Sequence, residues 1–104
     1  MYVIIWEYQV KAEHLDEFER IYHPAGLWAE LFKRGNGYIS TELLRDETHP
    51  HRYLTIDRWE SVRDYKDFQA KWKEEYEAVD KRCEGLTEQE TLIGKWETLD
   101  FEPR

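Results

Sequence analysis

Arg52-Tyr53-Leu54-Thr55-Ile56-Asp57-Arg58-Trp59-Glu60-Ser61 is the stretch from which the fold is read, because an alternating strand ends there on a tryptophan and hands straight over to a capped helix. Ser61 supplies the cap. Asp64, three residues on, forms a short version of the capping box and sets a negative charge at the positive end of the helix dipole. Val62, Tyr65, Phe68, Trp72, Tyr76, Val79 and Cys83 then recur in steps of three and four, which predicts one amphipathic helix of about six turns. An indole held at such a junction is well placed to wall a pocket between sheet and helices.

On the N-terminal side of this stretch, Tyr38 to Arg45 reads as a partner strand. The polar loop Asp46 to His51, with Pro50, joins the two into an antiparallel hairpin. Arg34-Gly35-Asn36-Gly37 is a stop and turn signal. Tyr2 to Val10 is β-branched and aromatic, and both alternating sets, Tyr2/Ile4/Trp6/Tyr8 and Val3/Ile5, are apolar; this predicts a central strand covered on both faces. Lys11-Ala12-Glu13 opens a helix with Leu15, Phe18, Ile21 and Tyr22 on one side. Pro24 interrupts it, since proline lacks the backbone donor an unbroken helix needs. A second short helix turns Leu27, Trp28, Leu31 and Phe32 inward. At the C-terminal end Gly85 is a helix stop, and Glu90 to Leu99 forms a last strand with Leu92, Ile93 and Trp96.

The order β, split α, β, β, α, β predicts an α+β fold, the ferredoxin-like split βαβ arrangement (βαββαβ, first helix broken at Pro24), with an antiparallel sheet and helices on one face. The other face needs a cover. A second copy of the same face is the simplest one, which predicts a homodimer with an isologous interface.

The 104 residues suit one domain, 1–104, without internal repeats or linkers. Five Trp, seven Tyr and four Phe exceed the needs of a minimal core, so part of this content is expected in a ligand cavity or an interface. Fifteen basic against 23 acidic residues give a net charge of -8, with no Lys/Arg cluster dense enough to track a phosphate backbone. Nucleic acid is excluded as a partner on that ground. Apolar runs are too short for a membrane span, Met1 to Glu7 lacks a basic leader, and the lone Cys83 allows no internal disulfide. The expected location is the cytoplasm.

With these elements placed, the whole chain resembles the antibiotic biosynthesis monooxygenase superfamily of small dimeric α/β-barrel proteins. The resemblance is carried by Tyr2-Val3-Ile4-Ile5-Trp6-Glu7, Gly37-Tyr38-Ile39-Ser40-Thr41-Glu42-Leu43-Leu44, Tyr53 to Ser61 and Glu90-Thr91-Leu92-Ile93-Gly94. It implies a homodimer whose two sheets form a shared barrel, with one ligand cavity in each subunit between sheet and helices. Members include oxygenases that oxidise quinol-like aromatics without metal or flavin, and others that bind and degrade haem. Both kinds use a tryptophan where Trp59 stands. In the polyketide-oxidising kind an asparagine precedes that tryptophan on the strand and a tyrosine follows on the helix; Thr55 and Tyr65 occupy those places. The haem-degrading kind needs a first-strand asparagine and a helix histidine, near which this chain has Glu7 and Gln69. Its long helix holds no histidine, so an axial haem ligand is missing.

Several side chains are candidates for chemistry. Trp59 and Tyr65, six residues apart across the cap, are expected at one end of the cavity, the indole stacking on a flat substrate and the phenol bonding an oxygen that gains charge. Core packing is the alternative for both. Glu7 and Asp57, on covered strands, are candidate bases unless Arg52, Arg58 or Arg45 pairs with them. His23, beside Pro24 at the helix break, is the candidate acid/base histidine, or else a helix-end residue bonding free carbonyls. Trp28, Phe32, Tyr38 and Trp72 are expected to complete the aromatic ligand-binding wall, with ordinary core packing as the competing role. His49 and His51 flank Pro50 in a charged loop, a spacing that points to no metal site.

These residues suit a cofactor-independent monooxygenase acting on a small aromatic, quinol-type molecule, with no metal and no cofactor. A module that binds a small hydrophobic ligand without turning it over would use the same cavity. Haem binding ranks third.

Overall fold

A computed structural model describes residues 1–99 and 101. Four strands, β1 (Tyr2–Val10), β2 (Tyr38–Arg45), β3 (Arg52–Trp59) and β4 (Thr87–Glu97), form one sheet in the order β2-β3-β1-β4, and every neighbouring pair is antiparallel. The helices are α1 (Leu15–Ile21), α2 (Leu27–Phe32), α3 (Val62–Lys71) and α4 (Lys73–Cys83). This is the α+β ferredoxin-like arrangement expected from the order of elements.

Register decides which side chains meet the helices. In β3, Tyr53, Thr55, Asp57 and Trp59 are buried while Arg52, Leu54, Ile56 and Arg58 are half-buried, a period of two that leaves one covered face and one open face. Ile4 pairs with Asp57, Trp6 with Thr55 and Tyr8 with Tyr53, so these residues share the covered face. Phe18, Ile21 and Tyr22 of the first helical segment, Leu31 and Phe32 of α2, and Tyr65 and Phe68 of α3 close over them as one aromatic-rich core. Phe18 stacks on Tyr22 with centroids 4.1 Å apart, and Phe32 meets Trp59 and Phe68 edge to face.

The helix start at Ser61 is as its sequence predicts, the Asp64 amide donating to the Ser61 hydroxyl oxygen at 3.1 Å. Gly37, at φ +82°, turns the chain into β2 where Asp64 would collide with any Cβ, and its carbonyl receives the Glu60 amide at 2.7 Å.

Four expectations change. The single long helix is two, α3 and α4, which meet at Trp72 with φ -110° and ψ 27°; no glycine or proline marks the step, so a side-chain periodicity runs through it unbroken. The first helix begins as a 3₁₀ turn over Ala12–His14 and ends at Ile21, ahead of Pro24. There Gly26 permits the turn, since a Cβ would lie 2.5 Å from the carbonyl oxygens of Arg20 and Ile21. β4 starts at Thr87 and ends at Glu97. Finally, β1 is covered by helices on one face only, and Val3 and Ile5 lie half-buried on the other.

Candidate functional site

The covered face of the sheet does not pack solidly against the helices. Between them lies a cavity of about 200 Å³, smaller than the roughly 300–1,000 Å³ usual for drug-sized ligands. Trp6 and Tyr8 of β1, Thr41 of β2, and Thr55 and Asp57 of β3 form its sheet side. Tyr22, Trp28 and Phe32 of the first helical layer, with Tyr65 and Tyr76 of α3 and α4, form its helix side. Asp80 and Glu90 are its exposed members and mark the mouth.

Asp57 is the chemically distinctive group. It is 8% exposed, and burial raises its carboxyl from 3.8 to about 6, against which a hydrogen bond from Thr41 pulls downward. Thr41 Oγ1 donates to Asp57 Oδ1 at 2.6 Å, and the Tyr38 hydroxyl lies 2.7 Å from the same Oγ1. A threonine hydroxyl has one proton. With that proton given to Asp57, Tyr38 must donate to Thr41, which sets a one-way chain from Tyr38 through Thr41 to Asp57. No donor reaches Oδ2 and no cation pairs with the carboxylate among the described residues. Arg58, next in sequence, points to the opposite face and pairs with Glu42.

Further hydroxyls line the same space. Tyr65 receives a hydrogen bond from the Gln69 amide at 2.9 Å, so its own proton is left to donate. Burial pushes that phenol well above its ordinary range, and it stays protonated at neutral pH. Tyr8 and Thr55 hydroxyls bond to each other at 3.1 Å on the sheet side.

Of the residues singled out in the sequence, the structure brings Asp57, Tyr65, Trp28 and Phe32 to the cavity. Trp59 is elsewhere: it is 0% exposed and packed between Phe32, Tyr38, Tyr65 and Phe68, one layer behind the wall. Its Nε1 has no hydrogen-bond partner among the described residues. Tyr38 likewise sits behind the wall, where it feeds the chain to Asp57. Trp72, at the α3/α4 step, lies under the Arg34 guanidinium, 5.3 Å from its ring centroid. Glu7 has the parity of Val3 and Ile5, hence the open face; there Arg52 holds it, and that hydrogen bond lowers its carboxyl. His23 is exposed at the helix break and accepts the Ala25 amide on Nδ1 at 3.0 Å, in place of the expected donation to free carbonyls.

Sequence reasoning passed over Trp6, Tyr8 and Thr55 as lining residues, although they share the parity of Ile4 and Asp57. Thr41 carried no such signal, because an irregularity between Tyr38 and Ser40 resets the alternation along β2. Tyr22, Tyr76, Asp80 and Glu90 arrive through tertiary packing. Among the described residues there is no cluster of three metal-ligating side chains, and no helix is long and apolar enough to cross a membrane.

The antibiotic biosynthesis monooxygenase family model matches residues 1–82, and the chain belongs to that family. Its fold is similar to solved structures over essentially the whole chain. A Deinococcus radiodurans protein that carries the family's name superposes with a TM-score of 0.76 at 14% identity, covering 100% of this chain and 98% of that one. A Nitrosomonas europaea protein of the same designation gives 0.71 at 17% identity, covering 96% and 100%. SnoaB from Streptomyces nogalater, a cofactor-independent oxygenase, gives 0.65 at 20% identity, covering 99% and 97%. At these identities the likeness is one of fold. No curated protein matches the chain in sequence.

Proposed function

We propose that the protein is a cofactor-independent monooxygenase that oxidises a small phenol or quinol with O2, and that Asp57 is its base. The observation that carries this reading is a buried carboxylate without a counter-cation, one oxygen free, inside an aromatic cavity of a chain from this family. A carboxyl that titrates at about 6 is ionised at neutral pH yet basic enough to draw a proton from a phenol held against it.

The phenolate so formed is electron-rich. It passes one electron to O2, and the phenoxyl radical and superoxide join through a new carbon–oxygen bond to give a ring peroxide. Asp57 returns the proton to the peroxide's outer oxygen. Loss of the ring C–H proton and cleavage of the O–O bond then leave a quinone carbonyl and hydroxide, which becomes water. The substrate supplies all four electrons. Tyr65 and Thr55, which line the same cavity, are the donors this reading assigns to the peroxide, and the aromatic walls keep bulk water away.

The open sheet face presents Val3, Ile5, Leu54 and Ile56, flanked by the exposed Leu44 and Trp96, and a second copy would bury this surface in a two-fold homodimer. A single buried thiol, Cys83, suits the cytoplasm.

The test is oxygen uptake by the purified protein with a panel of phenols and quinols, for the native chain and for Asp57→Asn. Substrate-dependent uptake that survives chelation and falls at least about 100-fold in the variant supports the reading. Saturable ligand binding with a flat oxygen trace replaces it with a non-catalytic binding module.

A further inference from the structure

We propose that the cavity selects a cationic phenol: a single ring whose hydroxyl meets Asp57 and whose side chain ends in a protonated amine held at the mouth by Asp80 and Glu90. The hydroxyl end rests on the phenol-oxidising reading above, whereas the preference for positive charge rests on the lining alone.

Three observations point to charge selection. First, the lining contains three carboxylates, Asp57, Asp80 and Glu90, and no lysine, arginine or histidine. One cation approaches a lining ring from outside, Lys95, whose Nζ is 5.8 Å from the Tyr65 centroid on an exposed strand residue. Second, the wall nearest α2 and α4 is a contiguous set of ring systems. Trp28 meets Tyr76 edge to face at 5.0 Å between centroids, and Tyr22 lies 6.3 Å from Trp28. Aromatic faces carry negative potential and attract ammonium groups, most of all where water is scarce. Third, Asp57 is buried with Oδ2 unpartnered, so negative charge is present at the inner end as well as at the mouth.

Glu90 projects to the cavity because it faces Tyr8 across the β1/β4 ladder, and Asp80 lies on the α4 turn after Tyr76. Partial burial of the carboxyl at the cavity edge raises Glu90, and the like charge of the neighbouring Asp80 adds to it. A ligand cation there relieves their repulsion. It also balances the charge that the reaction moves onto the substrate: when Asp57 takes the phenol proton, the negative charge passes from the carboxylate to the phenolate, which has no protein cation lining the cavity beside it. An ammonium on the same molecule supplies that balance, while a substrate carboxylate would add to the repulsion.

The cavity's volume confines the choice to a compact molecule, and tyramine is a suitable probe. Calorimetric titration of the intact protein in air-free buffer at neutral pH compares tyramine with para-ethylphenol and para-hydroxyphenylacetate, which keep the ring and replace the ammonium by a methyl or a carboxylate. Tyramine is expected to bind at least about tenfold more tightly than para-ethylphenol, with the acid weakest and the gap narrowing as salt is added. In an Asp80→Asn/Glu90→Gln variant, whose altered side chains are exposed and whose fold is checked by circular dichroism, the ratio should fall at least about threefold, the remainder coming from Asp57 and the aromatic wall. Equal binding of para-ethylphenol, or a tyramine preference undiminished in the double variant, overturns charge selection at the mouth and leaves the phenol reading standing. Binding of none of the three probes overturns the inference, and the oxygen-uptake panel then decides the phenol reading separately.

Discussion

Asp57 holds a proton more readily in the folded chain than in the unfolded one, and this fixes the sign of its effect on stability. A carboxyl raised from 3.8 to about 6 favours the folded state below pH 3.8 relative to higher pH, and that advantage is lost as pH rises through 6. Asp57→Asn removes the buried charge. We expect the variant to be more stable than the native protein at pH 8, by up to about 3 kcal/mol at roughly 1.4 kcal/mol per pH unit, with the gap closing toward pH 4 in urea melts. Thr41→Val, nearly the same size, removes the donor that holds Asp57 down, and the acidic limb of the kcat/KM profile should move up by about one pH unit. An unmoved limb would show that Thr41 does not tune the base. Trp59→Ala should cost about 3–5 kcal/mol and be read in the melt, because the indole is sealed in the core. A stable variant that only loses ligand would return Trp59 to the cavity wall.

At the scale of elements, caps and strand parity are written locally and were legible. Ser61 caps α3 as its position predicts, and Ser61→Ala should lower stability by about 1 kcal/mol in the same melts. Parity along β1 separates Trp6 from Glu7, and with it a cavity residue from a solvent-side ion pair. Other features depend on distant packing. The step at Trp72 keeps the apolar stripe in phase, so spacing alone reports one helix, while contacts on both sides determine two. The irregularity at Ile39 turns Thr41 toward Asp57, and no residue type in Tyr38-Ile39-Ser40-Thr41 announces it. Asp80 and Glu90 belong to α4 and β4, and only the docking of those elements brings them to one mouth.

For the whole molecule, the order of elements along the chain was enough to specify the sheet, because few topologies place two βαβ halves side by side without crossing connections. What surrounds the open face is a question of association, and we expect the protein to sediment as a dimer at micromolar concentration. Ile56→Lys, in the middle of that face, should shift it to monomer, and a native chain that sediments as a monomer would overturn the dimer. The placement of β1 has a further consequence in time. It lies between β3 and β4, and the Thr98 amide bonds back to the Met1 carbonyl, so the first strand of the sheet pairs with the fourth, which is synthesised after all the others. Until Glu97 clears the exit tunnel, β1 has one long edge and the aromatic cavity has no β4 side. Completion of the sheet therefore comes late, through contacts of high sequence separation that close slowly. During that interval the β4-side edge of β1 is an unpaired run of backbone donors and acceptors, open to pairing with another chain.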